Sequence, residues 1–311
     1  MAKRQRVLLS VIILLLLVSL GTFAAKLSEE TKVEEIARGV KYIEKRWQTD
    51  TGWVDIYILE ADLTQPGVRI DSLASSNGLA NTQGMSTMAR EAGAIAAVNA
   101  DFFLMSSTGV PIGSQVKSGR LIKSPQPGNG GWTAFIVNND FSAYFGRPVY
   151  LTSVTFPDDT RRPIIGINCE IDFTAGKIAV YDEYWGRFSP GRFHNMTKNA
   201  REYVEVIVDG NGTVVEVREN LGPAAIPQDG WVLVGSSDEV SFILEKVKVG
   251  DTLTVRSYSD PSLEDIFAVV EGQPFLVDKG QINYFSEGGI GGLNPRTGVG
   301  ISEDGKTVWL V

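Results

Sequence analysis

Histidine and cysteine are almost missing from this chain: its 311 residues include one of each, His194 and Cys169. A single cysteine excludes an intrachain disulfide and a cysteine-based metal cage. A Ser-His-Asp or Cys-His mechanism would have to use His194, which sits in a polar loop and reads as exposed. Basic clusters are lacking too. The formal net charge is −8, and an acidic chain without basic runs argues against a nucleic-acid partner. No internal repeat, low-complexity linker or clean internal boundary is present.

Apolar residues and glycine are plentiful. With 43% hydrophobic residues the chain can bury a sizeable core, and its 33 glycines point to tight turns or close backbone approaches. Lys3, Arg4 and Arg6 precede an apolar run from Val7 to Leu20, followed by small residues from Gly21 to Ala25. This is the layout of a secretory signal, and the run is shorter than the roughly 20 residues that span a bilayer comfortably. Residues 1–25 are therefore expected to be a signal peptide or an N-terminal anchor. The rest is expected to be secreted or extracytoplasmic, touching membrane only through that segment.

Residues 26–38 read as a short helical lead-in, amphipathic from Glu29 to Arg38 and stopped at Gly39. Strands are expected at Val54–Leu63 and Val68–Leu73, then a helix from Ser86 to Ala92 capped by Ser86. Ala94–Val98 reads as a fully buried strand. The glycine- and proline-rich stretch from Pro111 to Gly131 reads as a long loop. Trp132–Asn138, Ser142–Phe145, Val149–Phe156, Ile164–Phe173 and Lys177–Tyr181 follow as strands. Tyr203–Val208 and Thr213–Arg218 form a hairpin around Asp209-Gly210-Asn211-Gly212. Trp231–Val234 is a buried strand, and Ser236 with Glu239 gives a capping-box pattern opening a helix to about Lys246. Asp251–Tyr258, Phe267–Val270, Phe275–Val277, Thr297–Ile301 and Thr307–Val311 complete the strands. The fold class is α+β: a strand-rich single domain over residues 39–311, made of meanders and hairpins with a few short helices. The chain stops inside an apolar strand, where a polar, surface-seeking tail is usual, so a C-terminally truncated domain is expected.

Two places carry candidate chemistry. Asn99 and Asp101 end the apolar run Ala94–Val98; two residues apart on extended backbone, they share one face. An Asx-type turn, with Phe102 and Phe103 returning to the core, is the structural alternative. The second place is Gly288-Gly289-Ile290-Gly291-Gly292, leading into Asn294-Pro295-Arg296-Thr297-Gly298-Val299-Gly300. Glycines let backbone N–H groups approach a ligand, and an arginine directed by the preceding proline suits a phosphate or carboxylate. The spacing matches neither a Walker loop nor a dinucleotide fingerprint. Tyr181, Tyr184, Trp185 and Phe188 cluster in sequence, as core packing, a lid or a sugar-stacking surface. Asp172 and Asp182 read as turn residues, and Glu287 as a solvated loop charge.

Five blocks in order resemble the phosphodiester glycosidase family: Asn99-Ala100-Asp101-Phe102-Phe103, Ala179-Val180-Tyr181 with Trp185-Gly186, the Val204–Val234 hairpin region with Ile226-Pro227 and Gly230, Gly272-Gln273-Pro274, and Asn294 to Gly300. The resemblance runs from about Gly39 to the end. Departures are Ala100 for glycine, Glu271 and Gln273 interrupting a glycine run, Gly298 for alanine, and the absence of the family's downstream Asp-Gly-Gly-Gly-Ser block. The resemblance implies an exported hydrolase cleaving sugar-phosphate phosphodiesters of the N-acetylglucosamine-1-phosphodiester type, in envelope or exopolysaccharide metabolism. It implies Asp101 as the carboxylate near the sugar, Asn99 as its orienter and Arg296 as the phosphate clamp. Phe103, Asn294, Thr297, Gly289 and Gly291 would contact substrate. The partner would be a sugar phosphodiester or an envelope polysaccharide. No cofactor is expected: a divalent cation at Asp101 is conceivable, but one carboxylate and one amide are too few ligands to argue a metal site. The alternatives are a non-catalytic glycan- or cell-wall-binding envelope protein using the Tyr181–Phe188 aromatics, and a purely structural envelope protein.

Overall fold

The computed structural model describes residues 26–128, 132–192, 194, 196–197, 199–283 and 294–311. In chain order the elements are β1 (Lys26–Ala37), β2 (Val40–Thr49), β3 (Gly52–Asp62), α1 (Met85–Glu91), β4 (Gln115–Lys117), β5 (Arg120–Lys123), β6 (Thr133–Asn138), β7 (Ala143–Gly146), β8 (Val149–Thr155), β9 (Arg161–Ile164), β10 (Gly166–Ile167) and β11 (Lys177–Asp182). There follow β12 (Tyr203–Val208), β13 (Val214–Glu219), β14 (Trp231–Ser236), α2 (Asp238–Lys246), β15 (Thr254–Asp260), β16 (Ile266–Gly272), β17 (Val277–Asp278), β18 (Gln281–Ile282), β19 (Val299–Ile301) and β20 (Thr307–Leu310). The strand-rich expectation holds. The two helices among the described residues have only 7 and 9 residues, so the architecture is mostly β rather than α+β.

The strands form sheets in the orders β1-β2-β3-β20-β19, β10-β11-β14-β12-β13, β15-β8-β9 and β5-β4-β16-β6-β7, with a small β17-β18 hairpin. The second sheet is buried on both faces, and its period-two alternation feeds two cores. Val204, Val206 and Val208 of β12 point into a cluster with Ile136, Val154, Val180 and Leu233. Tyr203 and Ile207 point the other way, onto Cys169, Phe173, Tyr181 and Val234. Every residue of β12 is buried, which is why its sequence is a near-continuous apolar run. A third cluster around Val137, Ala268 and Val308 seals the β4–β7 sheet against β3 and β20.

Several local expectations are corrected. The helical lead-in at 26–38 is instead strand β1, paired antiparallel with β2 from Lys26↔Thr49 to Ala37↔Val40. Its Val33 and Ile36 mimic a helical stripe, but the turn at Arg38-Gly39 (φ 79° at Gly39) folds it back onto a strand-forming neighbour, and pairing overrides local propensity. Val68–Leu73 makes no ladder. Ile164–Phe173 contributes only its first residues to strands. The long loop after Pro111 contains the β4–β5 hairpin. Both helices lack the expected side-chain caps: α1 starts after Gly84 and α2 after Ser237. The β12–β13 hairpin forms as expected, with Asp209 Oδ1 accepting the Asn211 and Thr213 N–H groups.

Candidate active site

Ala94–Val98 is not a buried strand. It makes no ladder, and Ile95 is 66% exposed. A five-residue apolar run is ambiguous by periodicity alone, and no described strand pairs with this one. The aromatics after it do not return to the core either. Phe102 and Phe103 stand at the surface, Phe102 packing edge-to-face on Trp132 at 5.6 Å between ring centres.

Asp101, by contrast, turns inward. From Phe102 to Ile112 the chain makes a small closed loop, with Ile112 N–H bonded to the Phe102 carbonyl, Leu104 N–H to the Val110 carbonyl and a bridge between Phe103 and Pro111. Asp101 fastens its base: Oδ2 accepts the Gly113 N–H at 2.6 Å. At the other end Glu170 accepts the hydroxyls of Ser107 and Thr108 at 2.7 and 2.6 Å.

Beside Asp101 lies Glu271. Strand β16 pairs with β4 in the register Val270↔Gln115, so the flanking residues Glu271 and Ser114 meet. Glu271 Oε1 accepts the Ser114 N–H at 2.9 Å and also its hydroxyl, which in turn touches the Tyr150 hydroxyl at 3.3 Å. A Cβ on Gly113 would sit under 3.0 Å from both Asp101 Oδ2 and Glu271 Cβ, so the glycine is what lets the two carboxylates crowd one dipeptide. Lys123, fully buried, points into the same region and donates to the Gly113 and Ser124 carbonyls at 3.1 and 2.7 Å.

The electrostatics follow from burial. Desolvation raises Asp101 to about 7; the Glu271 charge adds to this, while the Gly113 N–H and Lys123 work against it. Burial also raises Glu271, opposed by its two bonds from Ser114 and by Lys123. Tyr150 is pushed up to about 12, chiefly by burial. Asp101 Oδ1 and Glu271 Oε2 are buried without a hydrogen-bond partner among the described residues. Two crowded carboxylates with raised proton affinity and one spare oxygen each can hold and pass a proton near neutral pH. Among the described residues no group of three or more acidic, histidine or cysteine side chains could hold a metal ion; the positive charge acting on these two carboxylates is Lys123.

Asn99 is exposed, two residues before Asp101 in the chain. Asn294, Arg296 and Thr297 are exposed on the segment leading into β19, where Arg296 Nη1 lies 3.5 Å from the Pro295 carbonyl. Gly289, Gly291 and Glu287 lie outside the described residues, as does the 1–25 segment. Asp172 is a turn residue as expected, accepting the Thr174 N–H. Asp182 is more than that: it ends β11, is buried, and besides the Tyr184 N–H accepts the Asn168 amide at 2.6 Å and the Arg120 guanidinium at 2.9 Å. Among the Tyr181–Phe188 aromatics, Tyr181 and Trp185 are buried and packed edge-to-face at 4.8 Å. Core packing explains these two; Tyr184 is half-buried beneath the Arg120 guanidinium, 4.8 Å from its ring centre, and Phe188 is exposed at 48%.

Glu271, Ser114 and Lys123 are the residues sequence reasoning missed. A signal existed for Glu271: it falls two residues after Val269 in an apolar strand, on the inward side. A carboxylate at an inward strand position is either a partnered network member or a site residue.

Comparisons relate the fold of this chain to solved structures. A hypothetical protein from Synechocystis superposes with TM-score 0.68 at 19% identity, over 90% of this chain and 52% of that one. The chain thus spans about half the length of that structure. A provisionally assigned exported protein of Burkholderia pseudomallei K96243 superposes with TM-score 0.72 at 16% identity, over 93% of this chain and 85% of that one. These likenesses establish the fold. No curated protein matches the chain. Residues 202–311, which carry Glu271 and the Asn294–Gly300 block, match the phosphodiester glycosidase family, and over that part the resemblance read from the motifs is shown.

Proposed function

We propose that the protein is an exported phosphodiester glycosidase, cleaving a sugar from a phosphate at the glycosidic carbon. The observation that carries this reading is the Asp101–Glu271 pair on the consecutive amides of Gly113 and Ser114. Cleavage at a glycosidic carbon passes through an oxocarbenium-like state, which glycosidases meet with two carboxylates in different protonation states. Here burial raises both carboxyls, Asp101 to about 7 and Glu271 in the same direction against its two bonds from Ser114, and as a coupled pair they share the titration. A phosphate leaves as a stable anion, so charge stabilisation matters more than protonation of the leaving group. Arg296 supplies that charge as a bidentate clamp, with Asn294 and Thr297 beside it in the chain; Gly289 and Gly291, outside the described residues, keep the substrate-contacting role that the motif implies. Asn99 orients the sugar, and Phe103 offers it an apolar face.

Export is supported by the basic and apolar N-terminal segment and by the description of the Burkholderia neighbour. Among the described residues no helix is long and apolar enough to cross a membrane. An N-acetylglucosamine phosphodiester with a chromogenic aryl group on phosphorus is the substrate to test. Hydrolysis should require Asp101, Glu271 and Arg296. Turnover unchanged in Asp101→Asn and Arg296→Ala rejects these assignments.

A further inference from the structure

A cavity of about 510 Å³ is lined by neither Asp101 nor Glu271. Its volume is that of a small-molecule site. One wall is the segment around Asn77–Asn81, docked on residues 184–186 through Leu79 N–H to the Tyr184 carbonyl at 2.7 Å and Ala80 N–H to the Trp185 carbonyl at 3.2 Å. Gly78 (φ 96°) has its missing Cβ directed at the Gly186 and Trp185 backbone, so only glycine permits this approach. The facing wall is a strand-like segment held on residues 221–226: Ser189 N–H bonds to the Ala224 carbonyl at 2.9 Å, and Phe188 bridges Ala225. The exposed Phe188 ring is therefore presented from a pinned backbone, with the Arg187 guanidinium 5.3 Å from its centre.

We infer that this cavity is a binding site for a neutral saccharide, distinct from the hydrolytic pair and independent of whether that pair is catalytic. Its polar lining residues, Asn77, Asn81, Glu170 and His194, are of the kind that read hydroxyl groups; Asn81 is itself held by a bond from its Nδ2 to the Asn77 carbonyl at 2.9 Å. The His194 Nδ1 accepts the Met196 N–H at 3.2 Å, which leaves Nε2 as the donor of a neutral ring. Burial lowers the affinity of His194 for a second proton, though Glu170 opposes this. A carboxylate in the wall and an uncharged imidazole disfavour an anion such as a phosphate, despite Arg187. An apolar ring beside hydroxyl-reading groups fits the amphipathic faces of a sugar. Glu170 holds Ser107 and Thr108, the tip of the loop that Asp101 fastens at its base, so one loop borders both places. The two sites suit a substrate that is a chain of sugars rather than a lone diester.

The full chain, titrated calorimetrically with cellotriose, chitotriose, mannotriose and, separately, inorganic phosphate, tests this. At least one neutral trisaccharide should bind. Phe188→Ala and Asn81→Ala should each weaken that binding about tenfold, with thermal melts unchanged as the control for folding. Asp101→Asn should bind the trisaccharide as the parent does. The inference is overturned if none of the three sugars binds, if binding survives both cavity variants, or if Asp101→Asn abolishes it. Phosphate binding that Arg187→Ala removes, without sugar binding, also overturns it and makes the cavity an anion site. None of these outcomes depends on hydrolysis of the aryl diester, so the two readings fail separately.

Discussion

Asp101 and Glu271, 170 positions apart in sequence, accept hydrogen bonds from adjacent peptide groups, Gly113 N–H at 2.6 Å and Ser114 N–H at 2.9 Å. Each keeps a second oxygen buried and unpartnered. Burial without full compensation costs stability, and active sites are where such a cost is retained.

Asp101→Asn should therefore separate function from stability. The amide keeps an acceptor for Gly113 but cannot ionise. With the native carboxyl raised to about 7, folding takes up a proton between about pH 4 and pH 7. The stability contributed by the neutral form is full below the unfolded value and is lost as pH rises through 7. The variant escapes this loss. Urea unfolding should show the two chains alike near pH 4 and the variant more stable at pH 8, by at most about 4 kcal/mol. Turnover of the aryl diester should fall by about 10²-fold or more. Equal stability at pH 8 would mean that Asp101 titrates normally.

Glu271→Gln removes the negative charge that helps hold Asp101 up. The Asp101 titration should move to lower pH, read from its carboxyl carbon resonance in labelled protein. Gln retains an acceptor for Ser114, so the strand pairing should survive. An unmoved Asp101 titration would show that burial alone sets it and that the two carboxylates do not act as a pair.

The sequence carries the topology more clearly than the site. Strand alternation and the Asp-Gly-Asn-Gly turn locate the β12–β13 hairpin because both signals are local. Lys26–Ala37 misleads because its fate is decided by β2, a partner that helical periodicity does not register. Asp101 is legible as an odd carboxylate after an apolar run, although the run itself is no strand. Its partner is not legible from spacing, because the Val270↔Gln115 register that joins them is a long-range fact. In the sequence Glu271 looks like a blemish in a glycine run. In the fold it is the nearest acidic companion of Asp101.

Gly113→Ala tests how tightly the pair is built. The backbone there is not left-handed, so strain is not the issue. The new methyl would lie under 3.0 Å from Glu271 Cβ, an atom fixed to strand β16. Overpacking of this kind costs about 1–3 kcal/mol, which should appear as a lowered urea midpoint. Glu271→Ala does not relieve the clash with Glu271, because its Cβ remains, whereas Glu271→Gly removes it and leaves only the contact with Asp101 Oδ2, the far end of a side chain that can shift. The double variant Gly113→Ala with Glu271→Gly should lose less stability than the two single changes added together. Simple additivity would disprove the crowding.

Arg296 tests the other end of the proposed reaction. It is exposed on the segment that enters β19, and a urea melt of Arg296→Ala run beside the assay separates loss of structure from loss of function. If its guanidinium grips the phosphate of the substrate, the loss falls on the diester. The kcat/KM should drop about 10²-fold, in line with removing one positioned charge donor at a developing anion. Arg296→Lys should recover only part of it, because an ammonium cannot reproduce the two parallel bonds of the fork. Inorganic phosphate should inhibit the parent competitively and Arg296→Ala far more weakly. Equal phosphate inhibition in both would remove Arg296 from the site and leave the Asp101–Glu271 pair without its anion clamp.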